Sequence, residues 1–268
     1  MKILAFSFCK KMLENKEPAR EVCYNSRVRK IRHIVLVEEV ITMTLKAVIF
    51  DLDNTLYDFN TAHQLGLREM ASYGESRFGV SAERFLKAYR LVDVQLKKEQ
   101  PYSAACHNRI IIAQRMLELL GLPSLVTPLE LYETYWGTII RTIKPFEGTT
   151  DLLSTLKRQG IKTGIITDMT THIQHRKIAA LGLSEYFDAM VTSEEAGIEK
   201  PNPKIFHDCM HKLHVHPKEC VYIGDSFERD VCGAHAAGML PFWLNRDGMP
   251  APRVDFAYKE VQSLNDIL

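Results

Sequence analysis

Apolar and polar residues follow two rhythms along this chain. Short apolar runs at residues 45–50 (LKAVIF), 162–167 (KTGIIT), 187–192 (FDAMVT), 220–224 (CVYIG) and 240–244 (LPFWL) predict five strands. A run that is apolar at consecutive positions buries both faces, as parallel strands do under helices. Pro241 in the last run predicts an edge strand or a strand entry, because proline donates no ladder hydrogen bond. Between the runs, apolar residues recur at helical spacing over residues 149–158, 171–181, 203–213 and 228–237. Strand and helix in alternation predict a doubly wound α/β sheet.

The alternation stops between the first and second strands. Residues 59–144 carry helical patterns over 62–73, 82–98, 104–120 and 128–141 and no strand pattern. They predict an all-helical insert of about 85 residues. The insert leaves the sheet just after the first strand. It therefore hangs over the carboxyl ends of the strands, where open α/β sheets bind ligands. The expected core is residues 44–58 together with 145–268.

Composition narrows the classes. The 268 residues are 46% hydrophobic and 25% charged, ordinary globular usage. The net charge is +1, which gives no overall basic footprint for nucleic acid and no attraction to an anionic membrane. The apolar stretch IVLVEEVITM is broken by Glu38 and Glu39 and is too short to span a bilayer. Six cysteines without CxxC spacing read as packed free thiols of a cytoplasmic protein. Residues 1–43 stand apart as a basic extension. Residues 1–44 hold nine Lys/Arg against five Glu. Their composition, and the position of Met43 just before the first strand, predict that translation starts at Met43.

Four polar segments follow the predicted strands. They are Asp51-Leu-Asp53-Asn-Thr, Thr167-Asp168, Lys200 in KPNP, and Asp225 with Asp230 in GDSFERD. Singly, each reads as a turn, a cap or a solvated charge. Together they matter, because a parallel sheet gathers its carboxyl ends along one edge. Clustered carboxylates there suit a hard divalent cation, or a pair divided between nucleophile and general acid/base.

Taken in order, DLDNT, ITD, KPNP and GDSFERD resemble the motifs of the haloacid dehalogenase-like superfamily of phosphohydrolases, over residues 45 to about 245. The resemblance implies a Mg²⁺-dependent phosphatase of a small phosphorylated metabolite. In it, Asp51 is the nucleophile that forms an aspartyl-phosphate, and Asp53 protonates the leaving group and then activates water. Thr167 and Lys200 hold the phosphoryl oxygens. Asp51, Asp225 and the main-chain carbonyl of Asp53 bind Mg²⁺, and Asp230 supports Lys200 or the metal shell. An acid at position 53 separates phosphate chemistry from dehalogenation. Asp168, grouped with the substrate-binding residues, departs from the Asn common in relatives and adds a negative charge near the site, unless it faces away or caps the next helix.

The helical insert resembles the type-one cap of that family, which selects the substrate. In Cys106-His107-Asn108-Arg109, Arg109 is placed to meet a second anionic group of the substrate and His107 a hydroxyl; the alternative is a solvated first helical turn. Two other readings use the same residues. A phosphomutase would shield the aspartyl-phosphate under the cap. A phospho-acceptor signalling module also combines an Asp cluster with Thr and Lys, but needs no cap. Neither monomer nor homodimer is favoured by composition.

Overall fold

The computed structural model describes residues 45–125 and 127–267. The expectations for residues 1–43, including a start at Met43, lie outside the described residues. The core is one six-stranded, all-parallel sheet in the order β3-β2-β1-β4-β5-β6. Its strands are β1 (Ala47–Phe50), β2 (Lys162–Thr167), β3 (Ala189–Thr192), β4 (Cys220–Gly224), β5 (Leu240–Leu244) and β6 (Lys259–Val261). All five predicted strands are present: β2, β4 and β5 have the expected bounds, and β1 and β3 each begin two residues later. The edge reading of residues 240–244 is corrected, since β6 pairs outside β5. Pro241 sits at the second position of β5, so the alternative of a strand entry fits. The three-residue β6, Lys-Glu-Val, has too little apolar pattern to be seen in the sequence.

All four residues of β1 are buried because β1 is central, flanked by β2 and β4. Its side chains alternate between two cores. Val48 and Phe50 pack with Leu152, Leu153, Ile165 and Ile178 on one face. Ala47 and Ile49 pack with Ile205, Phe206 and Tyr222 on the other. The covering helices include α5 (Thr149–Arg158) and α6 (Thr171–Ala180) on the first face and α8 (Pro203–Leu213) on the second. A short α7 (Ser193–Ala196) follows β3, and α9 (Cys232–Ala236) follows a π-helical turn at Phe227–Val231.

The insert forms four cap helices, α1 (Phe59–Phe78), α2 (Ala82–Glu99), α3 (Arg109–Leu120) and α4 (Thr127–Thr142). The single helix predicted over 104–120 is two pieces. A 3₁₀ turn at Ala104–His107 ends at Asn108, whose side chain accepts from the Ile110 N–H and so caps α3. Likewise Asp58 caps α1 by accepting from Thr61, and Gly79 closes it in the left-handed conformation. The two chain passages between cap and core lie side by side. Tyr57 bridges to Pro145, and the Phe146 N–H donates to the Leu56 carbonyl at 2.8 Å. The cap thus hangs from the core by a paired double strand of backbone.

Close packing inside the cap sets a stability test. A Cβ on Gly74 of α1 would lie 2.3 Å from the buried Phe85 ring of α2. Ala is favoured over Gly inside a helix by about 1 kcal/mol, but overpacking a rigid core costs about 1–3 kcal/mol. Gly74→Ala is expected to lower the melting temperature by several degrees in a thermal scan. A neutral or raised value would show that Phe85 yields without cost.

Candidate active site

The carboxyl end of β1 is where the polar residues collect. Asp51 follows Phe50 directly, and its N–H donates to the Ile223 carbonyl of β4 at 2.9 Å, carrying the pairing one residue past the strand. The chain then turns sharply. Asn54 adopts φ 63°, a left-handed conformation that Asn tolerates better than most residues. Thr55 returns its hydroxyl to Asp51 Oδ2 at 3.1 Å. The turn separates the two carboxylates, so that Asp51 and Asp53 keep different company.

Asp51 faces Lys200. The Lys200 ammonium donates to Asp51 Oδ1 at 2.6 Å and to Asp230 Oδ1 at 2.7 Å. All three side chains are buried. Burial alone would pull the Lys200 pKa down; Asp230 and Asp51 outweigh it and hold it above its ordinary value. Tyr222 of β4 donates to Asp230 at 3.0 Å, and the Ser226 N–H donates to the other oxygen at 2.9 Å. Asp230 reaches this position because Gly224 has no side chain, as a Cβ there would lie 2.3 Å from Asp230 Cγ. The glycine that ends β4 therefore decides where the support of Lys200 sits.

Asp168 is accounted for here. It is buried at the end of β2, accepts from the Lys200 N–H at 2.9 Å, and has Arg229 at 3.6 Å. Burial raises its pKa, while Lys200 and Arg229 oppose the rise. The extra carboxylate thus anchors the loop that carries Lys200. Thr167, the last residue of β2, is buried and its hydroxyl accepts from the Gln174 amide of α6.

Asp53 is held by groups that sequence reading missed. Lys177 of α6, fully buried, donates to both Asp53 oxygens at 2.8 Å, and the Tyr57 hydroxyl donates to Oδ1 at 2.7 Å. The Lys177 ammonium lies 4.8 Å from the Phe59 ring centre and 5.0 Å from that of Trp136 in the cap. Cation–π attraction from two rings offsets part of the desolvation cost. Burial still lowers the Lys177 pKa, against the pull of Asp53. A signal existed, since Lys177 follows Ile173 by one helical turn on the buried face of α6.

Arg109 is buried, and the solvated helix start weighed from sequence is not what the fold builds. Its guanidinium donates to the His107 carbonyl at 3.0 Å and lies over the rings of Tyr135 and Trp136, at 5.5 and 6.0 Å from their centres. Trp136 is therefore shared between Arg109 and Lys177, which links the start of α3 to the neighbourhood of Asp53.

Carboxylate oxygens of Asp51, Asp225 and Asp230 lie within 4.8 Å of one another. Burial pushes the Asp51 carboxyl up to about 8; Lys200 opposes the rise, and Asp230 and Asp225 add to it. Burial likewise pushes Asp225 up to about 6, with Asp230 adding to the rise. Three acids sharing one partly neutralising ammonium carry excess negative charge in a low-dielectric site. An all-oxygen donor set with that surplus fits a hard divalent cation.

Comparison with known proteins points to one family. A sequence model of the haloacid dehalogenase-like hydrolases matches residues 45–238. A ribulose-1,5-bisphosphate 5-phosphatase from Halopiger xanaduensis is 34% identical over 195 residues, covering 72% of this chain and 82% of that protein. A glyceraldehyde 3-phosphate phosphatase from Methanothermobacter thermautotrophicus is 30% identical, covering 78% and 89%. The crystal structure of a HAD phosphatase from Thermococcus onnurineus superposes with TM-score 0.63 at 30% identity, covering 83% of this chain and 95% of that one.

The raised carboxyl values set a pH test. The unfolded acids titrate near 3.8, so between there and about 6 to 8 the folded metal-free protein holds protons that the unfolded chain has lost. Stability from these groups therefore falls as pH rises through that window. A divalent cation takes the place of those protons, so its binding is expected to tighten from pH 5 to pH 8, and its stabilising effect to grow. Melting temperatures with Mg²⁺ and with chelator, compared at the two pH values, check this; a gap that shrinks toward pH 8 would contradict it. By motif, fold and relatives, the chain belongs to the haloacid dehalogenase-like hydrolase family.

Proposed function

We propose that the protein is a Mg²⁺-dependent phosphatase that hydrolyses a small phosphate monoester through an aspartyl-phosphate on Asp51. The observation that carries this reading is the contrast between the two acids of the DLD turn. Asp51 is buried against Lys200, while Asp53, two residues on, is held by Lys177 and Tyr57. One serves as nucleophile and the other as acid and base. The phosphatase relatives support the reaction class.

Asp51 attacks phosphorus, and the bond to the ester oxygen breaks as Asp53 gives that oxygen a proton. Asp53 then takes a proton from water, which hydrolyses the aspartyl-phosphate and frees Asp51. The Lys200 ammonium and the Thr167 hydroxyl bind the equatorial phosphoryl oxygens, where charge is spread in the transition state. Asp51, Asp225 and the Asp53 carbonyl would hold Mg²⁺, with Asp230 fixing Lys200 beside them. Bound there, Mg²⁺ supplies positive charge that lets a dianionic phosphate approach a cluster of acids. Lys177 and Tyr57 orient Asp53, and the cap covers the leaving group. Arg109 and Asp168 act at the margins, Arg109 from the cap side through Trp136 and Asp168 by holding the Lys200 loop. The substrate is a small phosphorylated metabolite. A cytoplasmic setting is part of this reading, in keeping with the buried thiols of Cys106, Cys209 and Cys220. No described helix is long and apolar enough to cross a membrane.

A phosphate-release screen over many esters, with and without Mg²⁺, tests the reading directly. Asp51→Asn is expected to abolish turnover in a folded protein, because an amide is a poor nucleophile and a poor metal ligand. Phosphate release near the wild-type rate would remove Asp51 from the covalent role.

Asp53→Asn is expected to slow turnover by about 10²–10⁴-fold for poor leaving groups. The loss should shrink for p-nitrophenyl phosphate, whose leaving group needs little protonation. Lys177→Met keeps the bulk between Phe59 and Trp136 and removes the charge that orients Asp53. It is expected to show the same leaving-group dependence in weaker form. An equal loss on every ester would make Lys177 a purely structural residue.

A further inference from the structure

A cluster of ligating side chains at the joint between cap and core takes no part in the reaction above. The turn Ala104–His107 precedes α3 in the cap and packs against α7 of the core. It brings Cys106 Sγ to 3.9 Å and His107 Nε2 to 3.0 Å from the same oxygen, Oε1 of Glu199. The three donor atoms lie within 4.8 Å of one another. Cys106 and Glu199 are buried, at 3% and 8% exposure. His107 Nε2 is shut off from solvent and makes no hydrogen bond despite its nearness to Glu199. Among the described residues, the only ion pair of Glu199 is with this ring.

We propose that Cys106, His107 and Glu199 form a second metal site that takes Zn²⁺, or a divalent ion of similar softness, and fastens the cap to the core. One thiolate, one imidazole and one carboxylate make a zinc donor set, with the fourth tetrahedral position left to water. A thiolate disfavours Mg²⁺, whereas the Asp51, Asp225 and Asp230 cluster offers oxygen alone. The two sites are therefore sorted by donor softness. A cation would also resolve the local electrostatics. Burial pushes the Cys106 thiol up to about 12, with the Glu199 charge adding to the rise. A bound cation neutralises both groups and displaces the thiol proton to solvent. The approach distances require closure by less than a side-chain rotation, since zinc draws its ligand atoms to about 2.0–2.3 Å from the ion.

Position gives the site its consequence. Cys106 and His107 lie at the entrance to α3, while Glu199 immediately precedes Lys200. An ion held by both sides resists cap opening, and opening must precede substrate entry and product release. Zinc at this site is expected to slow turnover. That consequence alone rests on the phosphatase reading; the binding itself does not.

Co²⁺ titration of the full-length protein tests the site independently of catalysis. A cobalt–thiolate charge-transfer absorption should grow to one equivalent, and Zn²⁺ should erase it. Asp51→Asn should keep the band, because the catalytic cluster contains no sulfur. Cys106→Ser should lose it. His107→Ala, a partly exposed position, and Glu199→Gln should each weaken Co²⁺ binding by at least about tenfold, since even outer-shell partners of a metal are worth that much. A band absent from the wild-type protein, one that survives Cys106→Ser, or one unaffected by both His107→Ala and Glu199→Gln would overturn the proposal. In the last two cases the signal would come from another cysteine or from a lone thiol. If the band behaves as expected while phosphate release is missing from every ester, the metal site stands and the phosphatase reading falls.

Discussion

One buried ammonium, that of Lys200, organises the Asp51 side of the site. Lys200 is almost fully enclosed and shared between Asp51 and Asp230, which come from opposite ends of the core sequence. A buried charge left without partners costs several kcal/mol, so each of the three side chains requires the other two. The requirement spreads outward. Asp230 needs the Tyr222 hydroxyl, the Ser226 N–H and the bare Gly224. The Lys200 backbone needs Asp168. Asp168, the acid after Thr167, thus fixes the backbone from which the ammonium extends.

Topology explains why this happens at the end of β1. The sheet order reverses between β1 and β4, since successive crossovers run outward through β2 and β3 and then return to the other side. Neighbouring connections diverge there and leave a crevice beyond the carboxyl ends. Asp51 and Asp225 flank that crevice, each directly after one of two adjacent strands. The cap enters at the same point, so the loop that carries Asp53 is also the passage into the helical insert. Chemistry and access are coupled by chain geometry.

Aromatic residues make that coupling specific. Lys177 belongs to the core, yet its ammonium lies near Trp136 of α4, and Arg109 of α3 approaches the same ring. A displacement of the cap would take the Trp136 ring away from Lys177 and so alter the surroundings of the ammonium that holds Asp53. Asp53, the acid and base of the proposed reaction, is in this way tied to the position of the cap, whereas Asp51 and Lys200 are enclosed by the core.

The sequence by itself determined five of the six strands, the insert and the strand-end acids, because each depends on local pattern. Consecutive apolar residues specify central strands, helical periodicity specifies the cap, and an acid directly after a strand is placed by the strand. The Gly-Asp-Ser and Lys-Pro segments could be assigned to one edge for the same reason. Tertiary structure alone decided the partners. Lys177 meets Asp53 across 124 residues of chain, and no local periodicity encodes such a distance. Arg109 reads as a surface residue at a helix start until Tyr135 and Trp136 arrive from α4 to cover it. The charge of a side chain is written in the sequence. Whether that charge is solvated, paired or enclosed by rings depends on which segments pack around it, and packing is a property of the assembled molecule.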